Sequence, residues 1–241
     1  MSALGLVILF LVLASTALFI VSVINARQTR RKLVQQRLLQ QRRKVADLEE
    51  LAIALESLCG NTHIALLVFN EITDQLRGMI QLSPNSQSLD YSLNNALTRS
   101  QEIQAPNYHC KLQRLQESDA QIARAQFLLS EAGRVVRKRQ TLGDIEVSQM
   151  NHYIAELAWA RLMVGVISMT GQGHLALRRG NLLRAHAYYR KAQHIALESP
   201  ISDERKHQFV RELGELLSDQ RQSISENLMP ETQCNPNSNA A

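Results

Sequence analysis

The sequence predicts an all-α protein: an N-terminal transmembrane helix, a basic juxtamembrane helix with coiled-coil-like spacing, and then an antiparallel helical bundle. Three observations predict it. Residues Ala3 to Ile24 form an unbroken run of 22 uncharged, mostly apolar residues. Beyond it, apolar residues recur at three-four spacing, the period of one helix face. No alternating β-branched run bounded by turn residues occurs, so no strand is signalled.

The apolar run of 22 residues would rise about 33 Å as a helix, enough for a hydrocarbon core of ~30 Å. The rival reading is a cleaved signal peptide, which needs a positive n-region, a shorter apolar stretch and a small-residue cleavage site. Here only Met1 and Ser2 precede the run, and the charge follows it. Residues 1–26 are therefore expected to anchor the chain. Arg27, Arg30, Arg31, Lys32, Arg37, Arg42, Arg43 and Lys44 come next, with no acid among them. Lys and Arg beside a span stay on the cytoplasmic side, so the N-terminus is expected outside and the C-terminal body in the cytoplasm. The compact architecture fits a bacterial inner membrane. Anionic lipid head groups would attract the same cluster, by ~1 kcal/mol per residue near the surface.

The 241-residue chain has a net charge of +5 and a pI near 9.3. Setting aside the eight juxtamembrane residues leaves 19 basic against 22 acidic ones, a balance of −3. A nucleic-acid-binding body keeps a basic face, so no nucleic-acid partner is expected. Arg134, Arg137, Lys138 and Arg139 fall at a helix end, where cations suit the helix dipole. Cys59, Cys110 and Cys234 contain no CxxC pair, which signals neither a disulfide framework nor a zinc ribbon. Reduced thiols agree with a cytoplasmic body.

Element by element, residues 27–60 form the basic amphipathic helix. Val34, Leu38, Val45, Leu48, Ala52, Leu55 and Cys59 make a short heptad seam interrupted by Gln41. In a parallel coiled coil, Arg37 would repel Arg42 of the partner while Lys44 attracts Glu49, so the flanks are divided over a homo-oligomer. Leu51 and Leu58 widen the stripe, which favours packing into a bundle from Val45 onward. Gly60-Asn61 breaks the helix, and Thr62 is expected to cap the next, running to about Gln81 with Leu66, Phe69, Ile72, Leu76 and Ile80 on one side. Residues 83–88 read as a loop. A weaker helix spans Leu89 to Ile103 and ends before Pro106 and Asn107.

Leu115, Ile122, Ala125, Leu129, Ala132 and Val136 predict a long helix from about Cys110 to Gln140. After the Thr141-Leu142-Gly143 turn, a segment from Asp144 is apolar on two sides and belongs in the middle of the body. Glu156 and Arg161 interrupt it. Buried charges pair or line a cavity, so these two are expected to answer each other or to mark a polar pocket. With those charges, Leu162 to Met169 is too short to be a second span. A last helix starts near Ser202 and runs to Ile224, which closes the body over 61–225. Residues 226–241 read as a disordered tail.

The stretch from Gly173 to Ala192 reads GHLALRRGNLLRAHAYYRKA. Gly173, Gly180, Ala185, Tyr189 and Ala192 stand as two small residues in a first helix and its turn, then a small-aromatic-small face on a second helix. This resembles the core of one tetratricopeptide repeat, over about Met169 to Pro200. Ala176 departs from the family's large residue, Gln172 from its Leu and Leu197 from its Pro. The resemblance implies a closely packed helical hairpin in a short α-solenoid, with the last helix as a cap. It also implies a protein-binding groove lined by first helices, which points to His174, Leu177 and Arg178.

No Gly-rich phosphate loop, HExxH, GxSxG or kinase set occurs, so neither an enzyme nor a bound cofactor is expected. His186 and His194 share a helix face without a carboxylate or Cys at ligand spacing, and no metal site is expected. His109-Cys110 are sequence neighbours rather than a catalytic pair. The expected function is a single-pass membrane adaptor or scaffold that binds partner proteins at the cytoplasmic face. One alternative is a structural protein that self-assembles through residues 34–59. The other is a ligand sensor or enzyme with a pocket near Glu156 and Arg161.

Overall fold

One helix, α1 (Ala3–Leu58), carries the chain from the apolar run through the basic cluster and into the body. The computed structural model describes residues 3–106, 108 and 110–231, with the backbone alone for residues 3–24, 26, 27, 30 and 31. The two N-terminal segments read from the sequence are thus one element. At 56 residues it is about 84 Å long. Nothing between the apolar run and Leu58 breaks it, because neither Gly nor Pro occurs there after Gly5.

Six further helices follow: α2 (Thr62–Leu82), α3 (Gln87–Gln104), α4 (Asp119–Thr141), α5 (Val147–Arg178), α6 (Leu182–Glu198) and α7 (Glu204–Leu217). The described residues contain no strand, so the fold is all-α. Gly60, at φ +71°, makes the turn after α1, and Asn61 rather than Thr62 caps α2, accepting from the backbone of His63 and Ile64. Ser118 caps α4, Asn181 caps α6 and Asp203 caps α7. Glu146 and Gln149 form a capping box at the start of α5.

The main packing follows chain order. α1 packs on α2 and α2 on α3; α4 touches both α1 and α2; then α5 packs on α4, α6 on α5 and α7 on α6. Arg124 of α4 pairs with Glu50, while Glu131 and Arg134 lie level with Asp47 and Leu48, so α4 runs antiparallel to α1. Gly165 faces Gln126 and Gly133 faces Ile154, so α5 runs antiparallel to α4 and hence in the direction of α1. The core is continuous, from Val45 and Leu55 through Ile72, Leu129, Met163 and Ile167 to Leu213 and Met229.

Among the residues whose side chains are described, α5 is the one helix long and apolar enough to cross a membrane, and 67% of its apolar window is buried inside the body. Its hydrophobicity is that of a central helix, as its two apolar stripes predict.

Two segments depart from the sequence reading. The helix expected from Cys110 begins at Asp119, and residues 110–118 form no helix or strand. Their backbone groups find distant partners instead of a helical ladder. Gln113 N donates to Ser57 O, Gln116 N donates to the Ser168 hydroxyl, and that hydroxyl donates to Arg114 O. The last helix also stops early, at Leu217, and the chain beyond it is packed rather than disordered as far as Glu231. Ile224, Leu228 and Met229 are buried. Glu231 closes the strap with a buried ion pair to Arg114, Nε to Oε1 at 2.9 Å. Residues 232–241, with Cys234, lie outside the described residues.

Candidate functional site

The α5–α6 hairpin is built on close approach. A β-carbon on Gly173 would lie 2.3 Å from Cε1 of Tyr189, so the ring occupies the space a side chain would need. Ala185 and Ala192 are fully buried on the same face of α6, and Gly180 makes the turn at φ +74°. Gly173, Ala185, Tyr189 and Ala192 therefore lie inside the hairpin, while Gly180 stays exposed at its turn and packs against nothing. The Tyr189 hydroxyl lies 2.7 Å from Nδ1 of His174, and the rings meet edge-on at 5.3 Å.

His174 is consequently not on a binding surface. It is 1% exposed, and burial, with the Arg178 charge, lowers its pKa to about 4. Its correction from surface to core has a simple cause, since the polar ring finds its partner across the hairpin. Leu177 and Arg178 remain exposed at the hairpin tip. Leu175, Leu182 and Leu183 are exposed beside them, as are Arg179 and Arg184. The sequence reading did not single out Arg179, Arg184, Leu182 and Leu183 as exposed at this tip. The signal available was charge: residues 157–197 contain no acid at all.

Glu156 and Arg161 do not answer each other. Arg161 is exposed, whereas Glu156 accepts from Asn61 Nδ2 and lies 3.3 Å from His152 Nε2. Five residues apart on a helix, the two side chains point in different directions. A cavity of about 480 Å³ does open beside Glu156, between the end of α1, α5 and the C-terminal strap. Its charged groups are engaged with one another. Arg205 stacks over Trp159 at 4.3 Å and pairs with Asp203 at 2.6 Å, and Arg114 pairs with Glu231. Cys59 lines the cavity, and burial is the main cause of a thiol pKa pushed up to about 11, with the Glu156 charge adding to it. A thiol so far above neutrality is a weak nucleophile.

Of the juxtamembrane cluster, Lys32, Arg37, Arg42, Arg43 and Lys44 are exposed along α1, while the side chains of Arg27, Arg30 and Arg31 lie outside those described. In the second basic group, at the end of α4, Arg134, Lys138 and Arg139 face acids, while Arg137 donates to the backbone oxygen of Gly133. Arg139 is buried, with Nη1 at 2.7 Å from Asp74 and 2.9 Å from Asp144, and Nη2 at 3.1 Å from Glu71. Lys138 also pairs with Glu71, and Arg134 pairs with Glu131. Burial pulls the Glu71 pKa up, but Lys138, Gln75 and Arg139 outweigh it and hold the carboxyl below its usual range. His186 and His194 face different acids, Asp219 at 3.8 Å and Glu198 at 3.2 Å. His109 lies outside the described residues.

No protein-family model matches the chain, and no curated protein or solved structure matches it.

Proposed function

We propose that this chain is a single-pass membrane adaptor, whose apolar N-terminal run spans the bilayer and whose helical body binds partner proteins at the cytoplasmic face. The observation that carries the reading is the continuity of α1. An apolar run, an exposed basic stretch and a packed body segment succeed one another on one unbroken helix. From Lys32 to Lys44 that helix would act as a stiff spacer of roughly 20 Å, its cations beside anionic head groups and the body held clear of them. Anchoring restricts the body to two dimensions and raises its effective concentration for membrane-bound partners. The α5–α6 hairpin, resembling a tetratricopeptide unit, is the element we assign to partner binding.

Burial on α1 favours this reading over self-assembly. Val45, Leu51, Ala52, Leu55 and Leu58 are spent inside the chain's own body. Of the heptad seam, only Val34, Leu38 and Gln41 precede it, too few for a sustained coiled coil.

The test has two parts. Carbonate extraction of membranes should leave the full chain in the pellet and release a chain lacking residues 1–26. Proximity labelling from the C-terminal end should then mark specific heterologous proteins. A fully extractable mature protein, or labelling no different from an unrelated anchored control, overturns the proposal.

A further inference from the structure

The charge of the body is unevenly spread. Between Leu157 and Leu197 there are six basic residues and no acid, whereas the rest of the chain from Val45 on has 13 basic against 22 acidic residues. Both helices of the hairpin, from the middle of α5 through nearly all of α6, fall in the basic stretch. Among the described residues, Lys191 is the one member of the six given an acidic partner, Asp119 at 3.6 Å. The tip combines this charge with apolar surface. Leu183 is 88% exposed and Leu182 59%, between Arg178, Arg179 and Arg184. Arg184 is steadied by stacking on Tyr188, 5.7 Å from the ring centroid.

We propose that the hairpin tip docks an acidic, leucine-bearing helical segment of a partner protein, with its apolar side chains over Leu182 and Leu183 and its carboxylates on Arg178, Arg179 and Arg184. The inference rests on the adaptor reading and names the chemistry of the partner. Guanidinium groups suit carboxylates because they can bind them through two parallel hydrogen bonds, and unpaired ones lose no existing ion pair on docking. The leucines supply the area that such pairs alone do not, since exposed ion pairs contribute little. A phosphate backbone would leave the leucines uncovered. Stacking of bases also needs free aromatic faces, and Tyr188 is taken by Arg184 while Tyr189 is buried. The bilayer is a poor occupant by position. α5 runs in the direction of α1 and continues 15 residues past Met163, which shares a cavity with Leu58 at the end of α1. That extension carries the tip roughly 22 Å further away from the N-terminal half of α1.

The experiment uses the full chain in neutral-lipid nanodiscs and a fluorescent 18-residue helical peptide with Leu on one face and Glu on the other. Anisotropy should show binding at least ten-fold tighter than for the same peptide with Lys in place of Glu, weakening as salt rises. R178E/R179E/R184E should lower affinity at least ten-fold and L182S/L183S at least five-fold, with circular dichroism and Tm unchanged. Equal binding by the variants overturns the proposal. So does competition by a single-stranded oligonucleotide or by anionic vesicles at equal charge, or self-association of the wild type that the same variants abolish. Proximity labelling separates this inference from the one beneath it. Partners labelled equally by wild type and R178E/R179E/R184E refute the docking tip and leave the adaptor standing, while no partner for the wild type refutes both.

Discussion

The hydroxyl of Tyr189 on α6 lies 2.7 Å from Nδ1 of His174 on α5, inside the hairpin, where both side chains are buried. The same tyrosine ring fills the space above Gly173. One aromatic side chain thus sets the helix separation and satisfies a buried imidazole nitrogen.

Gly173→Ala should therefore be destabilising by about 1–3 kcal/mol, because the methyl group must displace a ring wedged between two helices. Thermal unfolding reads this as a Tm lower by several degrees. Adding Tyr189→Leu should give a double variant less destabilised than the two single changes predict together. Strict additivity would show that the ring and the glycine do not share one space.

The His174 ring should stay neutral well below its ordinary range. Burial, and secondarily the Arg178 charge, place its folded pKa at about 4 against 6.5 for the free side chain. The resulting stability is complete above about pH 6.5 and is lost as pH falls toward 4, up to roughly 3 kcal/mol. Glu71 and Glu212, both held below the usual carboxylate range, act in the same direction at lower pH. For Glu212, burial is outweighed by Ser225, Gln208 and Arg221. Nuclear magnetic resonance should find no His174 titration step near pH 6.5; a step there contradicts the buried placement.

Glu231→Gln should loosen the C-terminal strap. It removes the charge facing buried Arg114, a loss of roughly 3–5 kcal/mol when one member of a buried pair is left alone. Arg221 of the strap, which pairs with Glu212 and Glu215 of α7, then becomes more accessible. Limited trypsin digestion should cut there faster in the variant than in the wild type. Identical digestion would mean that Glu212, through Ser225 and Arg221, holds the strap unaided.

Alkylation should discriminate the cavity thiol. With a pKa of about 11, Cys59 holds only about one thiolate in a thousand at pH 8. Iodoacetamide labelling, resolved by mass spectrometry, should reach Cys59 slowly in the folded protein and at the ordinary rate after denaturation. Equal rates would place the thiol in water.

Helix identity was legible in the residues because it depends on local spacing and caps. The three-four periodicity of α2, α4 and α5 and the breaks at Gly60 and Gly143 act within one or two turns, although the cap of α2 is Asn61 rather than the expected Thr62. Residues 110–118 and 224–231 were not legible in this way. Leu115 continues the apolar period of α4, yet Arg114 finds its carboxylate 117 residues away, and Ser168 and Ser57 serve the backbone around it. His174 read as a surface position for the same reason, since Tyr189 lies one helix away. Glu156 read as a partner for Arg161 because they are near in sequence, although Asn61 of another helix holds it.

By itself the sequence determined an all-α chain, a helical apolar run with a basic stretch behind it, and a small-aromatic-small face that closes one hairpin. Each follows from interactions between residues a few positions apart. Only the tertiary structure decided which charges are neutralised, which apolar residues stay uncovered, and that the chain after α7 is a strap. Those outcomes depend on buried polar groups finding partners far along the chain, and an unpaired buried charge is too unfavourable for local preference to override.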